Sequence, residues 1–327
     1  ILLSGDKLVK LTPTLIAAQM GLMVAIPAVA EPVSSQVEMA AQPSALYGTL
    51  LRPEGTIEAA AVIIPGSGPT DGDGNNPLGV KNASLKQLAE GLAAQGIATV
   101  RIDKRGIARS AAAAASEEDL RFDAYIDDAR AWAAHTVQQL DVPCVWLIGH
   151  SEGALVAQSA ATNTDSNICG QVLISGAGRP AGVVLREQLA QTPEPYKTQL
   201  IDGLAELEAG RTVPNPSPML RSLLRPSVQP YMISWISRDP AKLAHDYLGP
   251  IFIGQGTTDL QTGVADAEAL SVAQPKAQMK LWQGVNHVLT QAPLERGPNL
   301  ATYADPNALI DPQVVTDVAA FIKDNTL

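Results

Sequence analysis

Cysteine, histidine and aromatic residues are all scarce in this chain of 327 residues. It has 2 cysteines and 4 histidines, and aromatic residues make up only 4% of it. Without a C-x-x-C pair or a His/Cys cluster, the sequence argues against a structural zinc site. Because aromatic side chains are rare, the core has to be built from aliphatic ones, in a composition that is 46% hydrophobic.

Positive charge is also in deficit. The formal net charge of −10 at pH 7 argues against nucleic acid or an anionic membrane surface as a partner. The balance of 46% hydrophobic and 17% charged residues is typical of a globular chain and excludes a disordered one. The length suits one large α/β domain with an inserted segment, or two small domains. The sequence does not indicate an oligomeric state.

The N-terminal residues have the pattern of a secretory signal peptide. Lys7 and Lys10 precede an uncharged stretch, residues 11–30, and Pro27 lies just before an Ala-x-Ala site at residues 28–30. This pattern predicts a signal peptide over residues 1–30 and a periplasmic or secreted protein. An uncleaved anchor is the alternative, but the apolar part is short for a membrane span. After cleavage we expect no stable membrane insertion.

The two cysteines, Cys144 and Cys169, each begin an apolar run that is typical of a strand. In an oxidising compartment they can pair. Two unpaired thiols are the other interpretation, which we favour because cysteines in strands are often buried in the core. The sequence leaves the pairing open.

Apolar runs alternate with helix-like segments at the spacing of an α/β protein. Strands are predicted at residues 59–64, 97–102, 142–148, 169–174, 250–256 and 277–282, after an opening hairpin within residues 37–52. Helices are predicted at residues 84–95, 116–140, 154–161, 263–272 and 313–324. This alternation predicts a mostly parallel sheet with helices on both faces.

The alternation stops at residues 179–248, which are rich in proline and contain no strand-like run. Short amphipathic pieces lie between the prolines. We interpret residues 179–248 as a helical cap, inserted into an α/β core of residues 31–178 and 249–327.

The most informative motif is Gly-His-Ser-Glu-Gly at residues 149–153, which reads G-x-S-x-G. A predicted strand precedes it and a predicted helix follows it, which is the context of a nucleophile elbow. The flanking glycines allow the backbones of strand and helix to approach closely, and they leave the serine hydroxyl exposed. The motif predicts Ser151 as a nucleophile; an ordinary strand-to-helix turn is the alternative.

A serine hydroxyl needs a general base, and with so few histidines the base can be found by elimination. His150 belongs to the elbow itself, His135 to a predicted helix and His245 to the predicted cap. His287 lies in the loop after the last predicted strand, where a catalytic histidine belongs when the order along the chain is serine, acid, histidine. We predict His287 as the base; a solvent-facing loop histidine is the alternative.

The acid that orients the histidine should follow the preceding strand. Asp259 does so, and its predicted role is to fix the tautomer of His287 and to stabilise the protonated ring. Asp266 is the competitor, but it lies within the next predicted helix. An aspartate that merely forms a turn is common after a strand and is the other alternative.

Ester or amide cleavage through a serine also needs two N–H donors for the oxyanion. One is predicted to be the backbone N–H of Glu152, which follows the nucleophile. The other should come from the glycine-rich loop after the first parallel strand. There we predict Ser67, with Gly68 as the rival. We assign no chemistry to the Glu152 carboxylate.

The loop at residues 71–75, Asp-Gly-Asp-Gly-Asn, invites a calcium interpretation. It lacks the glycine that an EF-hand has at its sixth position, which is Asn76 here, and the bidentate glutamate at its twelfth, which is Asn82. A surface loop is the simpler interpretation. We predict no metal and no cofactor.

Five stretches together resemble the α/β-hydrolase superfamily, and more narrowly the bacterial secreted esterases and lysophospholipase-like proteins grouped near the serine aminopeptidase-like hydrolases. They lie at residues 65–71, 103–106, 149–153, 256–261 and 286–287. The resemblance implies an eight-stranded, mostly parallel sheet, a cap after the sixth strand and ester hydrolysis through an acyl-enzyme. Pro65 departs from the pattern, since many relatives have histidine there. We interpret Arg105 as structural.

The sequence therefore predicts a secreted serine esterase that acts on small-molecule esters of small to medium acyl chains. A serine aminopeptidase-like peptidase is one alternative, because the cap carries Glu187, Glu194, Glu206 and Glu208, which can hold a substrate ammonium group. A non-catalytic binding protein that kept the fold is another, since a fold alone does not prove activity. An elbow serine argues against dehalogenase and epoxide hydrolase chemistry, which use aspartate.

Overall fold

The centre of the fold is an eight-stranded sheet. The computed structural model describes residues 32–161 and 166–326; the predicted signal peptide lies outside them, so export stays a prediction. The strands are β1 Val33–Met39, β2 Leu46–Arg52, β3 Ala59–Ile64, β4 Ile97–Ile102, β5 Val145–His150, β6 Ile168–Ile174, β7 Ile251–Gly256 and β8 Gln278–Trp282. Their order is β1-β2-β4-β3-β5-β6-β7-β8. Strand β2 is antiparallel to β1 and β4, and the other neighbours are parallel.

Continuous aliphatic runs form the middle of the sheet. Every residue of β3, β4, β5 and β7 is buried, as expected for parallel strands that have helices on both faces. The predicted strands at residues 59–64 and 97–102 coincide with β3 and β4. The mostly parallel, eight-stranded sheet is confirmed.

Helices cover both faces of the sheet. They are α1 Ser84–Ala93, α2 Phe122–Leu140, α3 Glu152–Ala160, α4 Ala181–Gln188, α5 Tyr196–Glu208, α6 Arg221–Leu224, α7 Gln229–Ile236, α8 Pro240–Asp246, α9 Val264–Ala273, α10 Arg296–Ala304 and α11 Pro312–Asn325, with short 3₁₀ helices at Ala108–Ala113, Pro218–Leu220 and Pro226–Val228. Helices α1 and α11 bury apolar residues on one face, and α2, α3 and α9 on the other. Among the described residues, no helix is both long and apolar enough to span a membrane.

The segment between β6 and β7, which includes the predicted cap, folds into helices α4 to α8 and has no strand. Leu204 of α5 and Leu224 of α6 are completely buried. Tyr231 of α7 packs edge-on against Tyr125 of α2, with ring centroids 5.7 Å apart. These residues belong to one apolar cluster with α2 and α3, so the cap helices rest on the core and do not form a core of their own.

Two helix predictions differ from the structure. The helix predicted from Ser116 begins only at Phe122, because the Ser116 hydroxyl bonds with the N–H and carboxylate of Asp119, at 3.1 and 2.7 Å, and closes a separate turn. Helix α10 was not predicted; its short sequence has no apolar repeat long enough to distinguish it from a loop.

Cys144 and Cys169 form a disulfide, with Cα atoms 5.3 Å apart. The preference for unpaired thiols is therefore wrong. Cys144 lies directly before β5 and Cys169 lies in β6, and these strands are parallel neighbours with Val145 paired to Ile168. The sheet order brings the two side chains together, and the sequence does not reveal that order.

Replacing both cysteines, Cys144→Ser with Cys169→Ser, is expected to lower the free energy of unfolding by about 3 kcal/mol. The bond joins residues with a sequence separation of 25, and it restricts the unfolded chain more than the folded one. Urea unfolding measures the difference, and the wild type under reducing conditions is the control. Equal stability of variant and wild type would contradict the prediction.

Candidate active site

Ser151 lies at the junction of β5 and α3, where its backbone is held at φ 56° and ψ −120°. A positive φ is strained for a residue that has a Cβ atom, so the surrounding packing has to impose it. The Ser151 N–H donates to the carbonyl oxygen of Ile174 in β6, at 2.9 Å. The turn places the serine side chain where two cavities meet.

Two glycines make this turn possible. A Cβ atom on Gly149 would lie 2.2 Å from the carbonyl oxygen of Gly153, and one on Gly153 would lie 2.3 Å from that of Ile64 in β3. Neither position has room for a side chain. Helix α3 therefore packs directly onto the backbones of β3 and β5, and this contact fixes the strained serine.

His287, after β8, and Asp259, after β7, form a buried hydrogen bond. His287 Nδ1 lies 2.8 Å from Asp259 Oδ2, and the side chains are 5% and 0% exposed. The other carboxylate oxygen accepts the N–H groups of Gln261 and Thr262, at 2.8 and 3.1 Å. Because a carboxylate can only accept, Nδ1 carries the proton and leaves Nε2 able to take one from a nucleophile.

Asp259 is held in its ionised form. Burial acts to raise the pKa of its carboxyl group, but the charge and hydrogen bond of His287 and the N–H groups of Gln261 and Thr262 outweigh it, so that the pKa lies below its ordinary value. An ionised carboxylate here fixes the tautomer of His287 and stabilises its protonated ring.

Asp266, the competing acid, has a structural position. Its buried carboxylate accepts the N–H groups of Gly178 and Gly263, both at 3.1 Å. It also pairs with Arg179 at 2.9 Å. These bonds tie the start of α9 to the start of the cap, and no hydrogen bond between Asp266 and His287 occurs in the described structure.

Ser151 and His287 line the same cavity. No hydrogen bond joins the serine hydroxyl to the His287 ring within the described residues. The structure thus brings Ser151, His287 and Asp259 to one site, in which His287 is hydrogen-bonded to Asp259.

His150, the residue directly before Ser151, is bound to the backbone of His287. Its Nε2 donates to the backbone carbonyl oxygen of His287 at 2.8 Å, and the two rings are 4.8 Å apart. Burial, and then the nearby charge of His287, lower the pKa of His150 to about 4. A neutral ring thus links the elbow to the His287 loop. The place of His150 in the motif at residues 149–153, directly before Ser151, was the sequence signal that could have pointed to this contact.

A pair of buried asparagines also fixes the His287 loop. Asn286 accepts the N–H groups of Val288 and Thr290, at 3.2 and 3.1 Å, and its amide lies 3.3 Å from the side-chain oxygen of Asn299 in α10. Asn299 in turn donates to the carbonyl oxygen of Thr258, next to Asp259, at 2.9 Å. No sequence pattern points to Asn299, because α10 lacks an apolar repeat that would distinguish it from a loop.

The predicted oxyanion donors flank Ser151. The N–H of Glu152 belongs to the first turn of α3, where N–H groups have no partner within the helix. A Cβ atom on Gly66 would lie 3.2 Å from the Cβ of Ser151, so the peptide group between Gly66 and Ser67 runs directly beside Ser151. Ser67 lines both cavities at Ser151, whereas Gly68 lines neither, which favours Ser67 as the second donor.

The Glu152 carboxylate is buried and lies 3.1 Å from the ammonium group of Lys104. The same ammonium group donates to the carbonyl oxygen of Gly66 at 2.6 Å. Neighbouring Arg105 instead makes two hydrogen bonds with Asp128, at 2.9 and 2.6 Å, which is a structural contact.

The aspartate-rich loop is organised by its own backbone. Asp71 accepts the N–H groups of Asp73 and Asn75, at 3.0 and 2.8 Å, and Asp73 pairs with Arg101 at 2.6 Å. In the part of the chain that the structure describes, no group of three or more His, Cys, Asp or Glu side chains is arranged to hold a metal ion. The remaining histidines lie elsewhere: His135 contacts the Trp132 ring, and His245 is exposed on α8.

Two cavities of about 120 Å³ each open beside Ser151. We call the first the cap-side cavity; its apolar lining is Leu155, Ala177, Ala181, Val184, Leu185, Trp235 and Pro240. We call the second the loop-side cavity; its polar lining includes Ser67, Thr70, Asn76, Ser84, Gln261 and Tyr303. Ser151 therefore lies between a mainly apolar cavity and a more polar one.

A family model described as "Serine aminopeptidase, S33" matches residues 81–317, well over half of the chain. The chain belongs to this family of α/β-hydrolases. The resemblance to the α/β-hydrolase superfamily that the sequence motifs carry is thereby confirmed, and so is the fold. No curated protein matches the chain.

Solved structures of this fold are similar over most of the chain. Est1E from Butyrivibrio proteoclasticus has a TM-score of 0.56 at 14% identity, and the match covers 89% of this chain and 98% of that one. A thermophilic esterase from Thermogutta terrifontis has a TM-score of 0.55 at 15% identity, covering 90% and 100%. A proline iminopeptidase from Mycobacterium smegmatis has a TM-score of 0.57 at 13% identity, covering 89% and 99%. At such identities the likeness to these structures shows the fold alone.

Acidification is expected to destabilise this α/β-hydrolase through His150. The pKa of His150 is about 4 when folded against an ordinary value of 6.5, so between these pH values the unfolded chain binds a proton that the native chain does not. Stability is therefore lost as the pH falls through this window, by roughly 2 kcal/mol between pH 7 and pH 4.5.

Urea unfolding at the two pH values, for the wild type and His150→Gln, isolates this contribution. The variant should lose less stability on acidification than the wild type does. His245→Gln changes an exposed histidine and serves as the control. An identical loss in the wild type and His150→Gln would contradict the prediction.

Proposed function

We propose that this protein is a serine hydrolase that cleaves carboxylic esters of small to medium acyl chains through an acyl-enzyme. Ser151 is the proposed nucleophile, His287 the general base and Asp259 the group that orients it. The backbone N–H groups of Ser67 and Glu152 form the proposed oxyanion hole. Membership of the hydrolase family, the strained elbow and the buried bond between His287 and Asp259 support this assignment.

In the proposed reaction, Ser151 Oγ attacks the ester carbonyl carbon while His287 Nε2 takes the hydroxyl proton. Negative charge moves to the carbonyl oxygen, and the two N–H groups stabilise it. His287 then gives its proton to the alcohol oxygen as the C–O bond breaks. Water repeats the sequence: His287 removes a proton from it, the hydroxyl adds to the acyl carbon, and Ser151 leaves with its proton restored.

The placement of the carboxylates favours an ester over a peptide substrate. The proposal of an esterase and not a peptidase rests on this observation. A peptidase that removes N-terminal residues needs an unpaired carboxylate near the nucleophile to bind the α-ammonium group. Among the described residues that line the two cavities, the only acidic one is Glu152, and its carboxylate is bound by Lys104.

The acidic residues of the cap, on which the peptidase alternative depends, do not line either cavity. Each one has a polar partner on the cap or at its start: Glu187 with Arg179, Glu194 with Thr198, Glu206 with Arg211, and Glu208 with Arg186. These pairs are ordinary surface interactions. The family description and the fold shared with a proline iminopeptidase still make a peptidase the second candidate.

The sizes of the cavities support small or medium acyl groups. Pockets for drug-sized ligands are usually about 300–1,000 Å³, whereas the cap-side cavity is about 120 Å³. An apolar acyl chain matches its lining of aliphatic residues and Trp235, and the alcohol then lies in the loop-side cavity among hydroxyl and amide groups. This assignment predicts a preference for short acyl chains on a polar alcohol.

Hydrolysis of p-nitrophenyl acetate, butyrate and octanoate, beside aminoacyl p-nitroanilides, tests the function. The wild type is expected to cleave the esters much faster than the anilides. Ser151→Ala removes the nucleophile and should lower kcat on the order of 10⁶-fold, to background. Faster anilide turnover would favour the peptidase. Activity that survives Ser151→Ala would contradict the mechanism, and no turnover of any substrate would favour the binding protein.

Leu185 of α4 is half-buried and lines the cap-side cavity, so its size should set the acyl preference. Leu185→Ala enlarges the cavity and is expected to raise the ratio of kcat/KM for octanoate to that for acetate. Leu185→Trp narrows it and should lower the same ratio. We expect this ratio to rise or fall by about tenfold, which is the effect of giving or removing space for one or two methylene groups of the acyl chain. Equal ratios in both variants would show that the acyl chain binds elsewhere.

A further inference from the structure

Lys104, directly after Asp103 at the end of β4, is a buried lysine that the proposed reaction does not use. It is 3% exposed. Removing an ammonium group from water is costly unless its donors are satisfied, so such a residue is seldom found in a core without a partner. The contacts of the Lys104 ammonium group explain why a charged residue is buried here.

The ammonium group touches both halves of the proposed oxyanion hole. It donates to the carbonyl oxygen of Gly66 at 2.6 Å and to the Glu152 carboxylate at 3.1 Å. On another side lies the Tyr125 ring, with its centroid 5.0 Å away, at a distance suited to a cation–π contact. Glu152 supplies one oxyanion N–H from its backbone, and Gly66 shares a peptide group with Ser67.

The contact with Gly66 matters because its carbonyl group and the Ser67 N–H belong to the same amide. A charged donor on the carbonyl oxygen pulls electron density from the amide nitrogen and makes the N–H a stronger donor. The same bond fixes the plane of the peptide group beside Ser151. Because glycine has no side chain to restrict its backbone, this bond helps to hold the turn in one orientation.

We propose that Lys104 is a positioning residue of the oxyanion hole, which orients and polarises the peptide group between Gly66 and Ser67 and anchors it to Glu152 at the start of α3. The proposal rests on the proposed function in that it needs Ser151 as the nucleophile, but it does not depend on whether the substrate is an ester or a peptide. It also selects Ser67 over Gly68 as the donor.

The test is the rate at which an alkyl fluorophosphonate labels Ser151. The serine oxygen bonds to phosphorus, fluoride leaves, and the phosphoryl oxygen occupies the oxyanion hole, so the rate reports on the hole whatever the natural substrate is. Removal of a whole oxyanion donor costs about 10²–10³-fold. Because the Ser67 N–H remains, Lys104→Met is expected to slow labelling by about 10- to 100-fold. In ester assays kcat should fall while KM changes little.

A second variant separates this role from a purely structural one. Lys104→Met alone leaves the Glu152 carboxylate buried without its partner, so it can lose activity by misfolding. The double variant Lys104→Met/Glu152→Gln removes both charges of this buried pair and is expected to regain thermal stability but to stay slow in labelling. Recovery of wild-type labelling in the double variant would overturn the proposal.

Lys86→Met, which changes an exposed lysine on α1, is the matched control and should label at the wild-type rate. Wild-type labelling by Lys104→Met would also overturn the proposal, even if ester hydrolysis is confirmed. Rapid anilide cleavage with slow labelling of Lys104→Met would overturn the esterase and support the role of Lys104. A wild type that does not label at Ser151 would overturn both.

Discussion

Helix α3 contacts the backbones of β3 and β5 without side chains between them, and the site depends on this contact. Gly149 and Gly153 are the points of closest approach, where any Cβ atom would clash with a carbonyl group. The contact forces Ser151 to a positive φ that a serine does not adopt by preference. The cost of that strain is offset by burial of the strands and of α3, so the fold as a whole holds Ser151 in this conformation.

The position of His287 depends on polar contacts with a loop, a strand and a helix. Because loops carry few apolar contacts, buried hydrogen bonds have to fix their positions. His287 is bound by Asp259 through its ring and by His150 through its backbone, and Asn286 next to it reaches Asn299 in α10. Each bond comes from a different element, so that the imidazole is held in one orientation before substrate arrives.

Charge is distributed differently at the site and on the cap. At the site the charged groups are buried with a partner: Lys104 with Glu152, and the Asp259 carboxylate with the His287 ring. On the cap they lie at the surface and neutralise one another. The two cavities at Ser151 therefore lack an unpaired carboxylate among their described residues. In the proposed function this absence bears on the choice between an ester and a peptide substrate. The proposed Ser151, His287 and Asp259 do not decide it, because both reactions can use the same three groups.

Local features of the sequence are enough to predict the strands and the sharp strand-to-helix turn at residues 149–153. Buried strands are continuous apolar runs, and a tight strand-to-helix turn needs glycine at fixed positions. Only the tertiary structure decides which distant groups meet: Cys144 with Cys169, Lys104 with Glu152, and His150 with a residue 137 positions away. These contacts depend on the sheet order and on loop paths. No local pattern encodes them, because each partner by itself is an ordinary residue of its own strand, helix or loop.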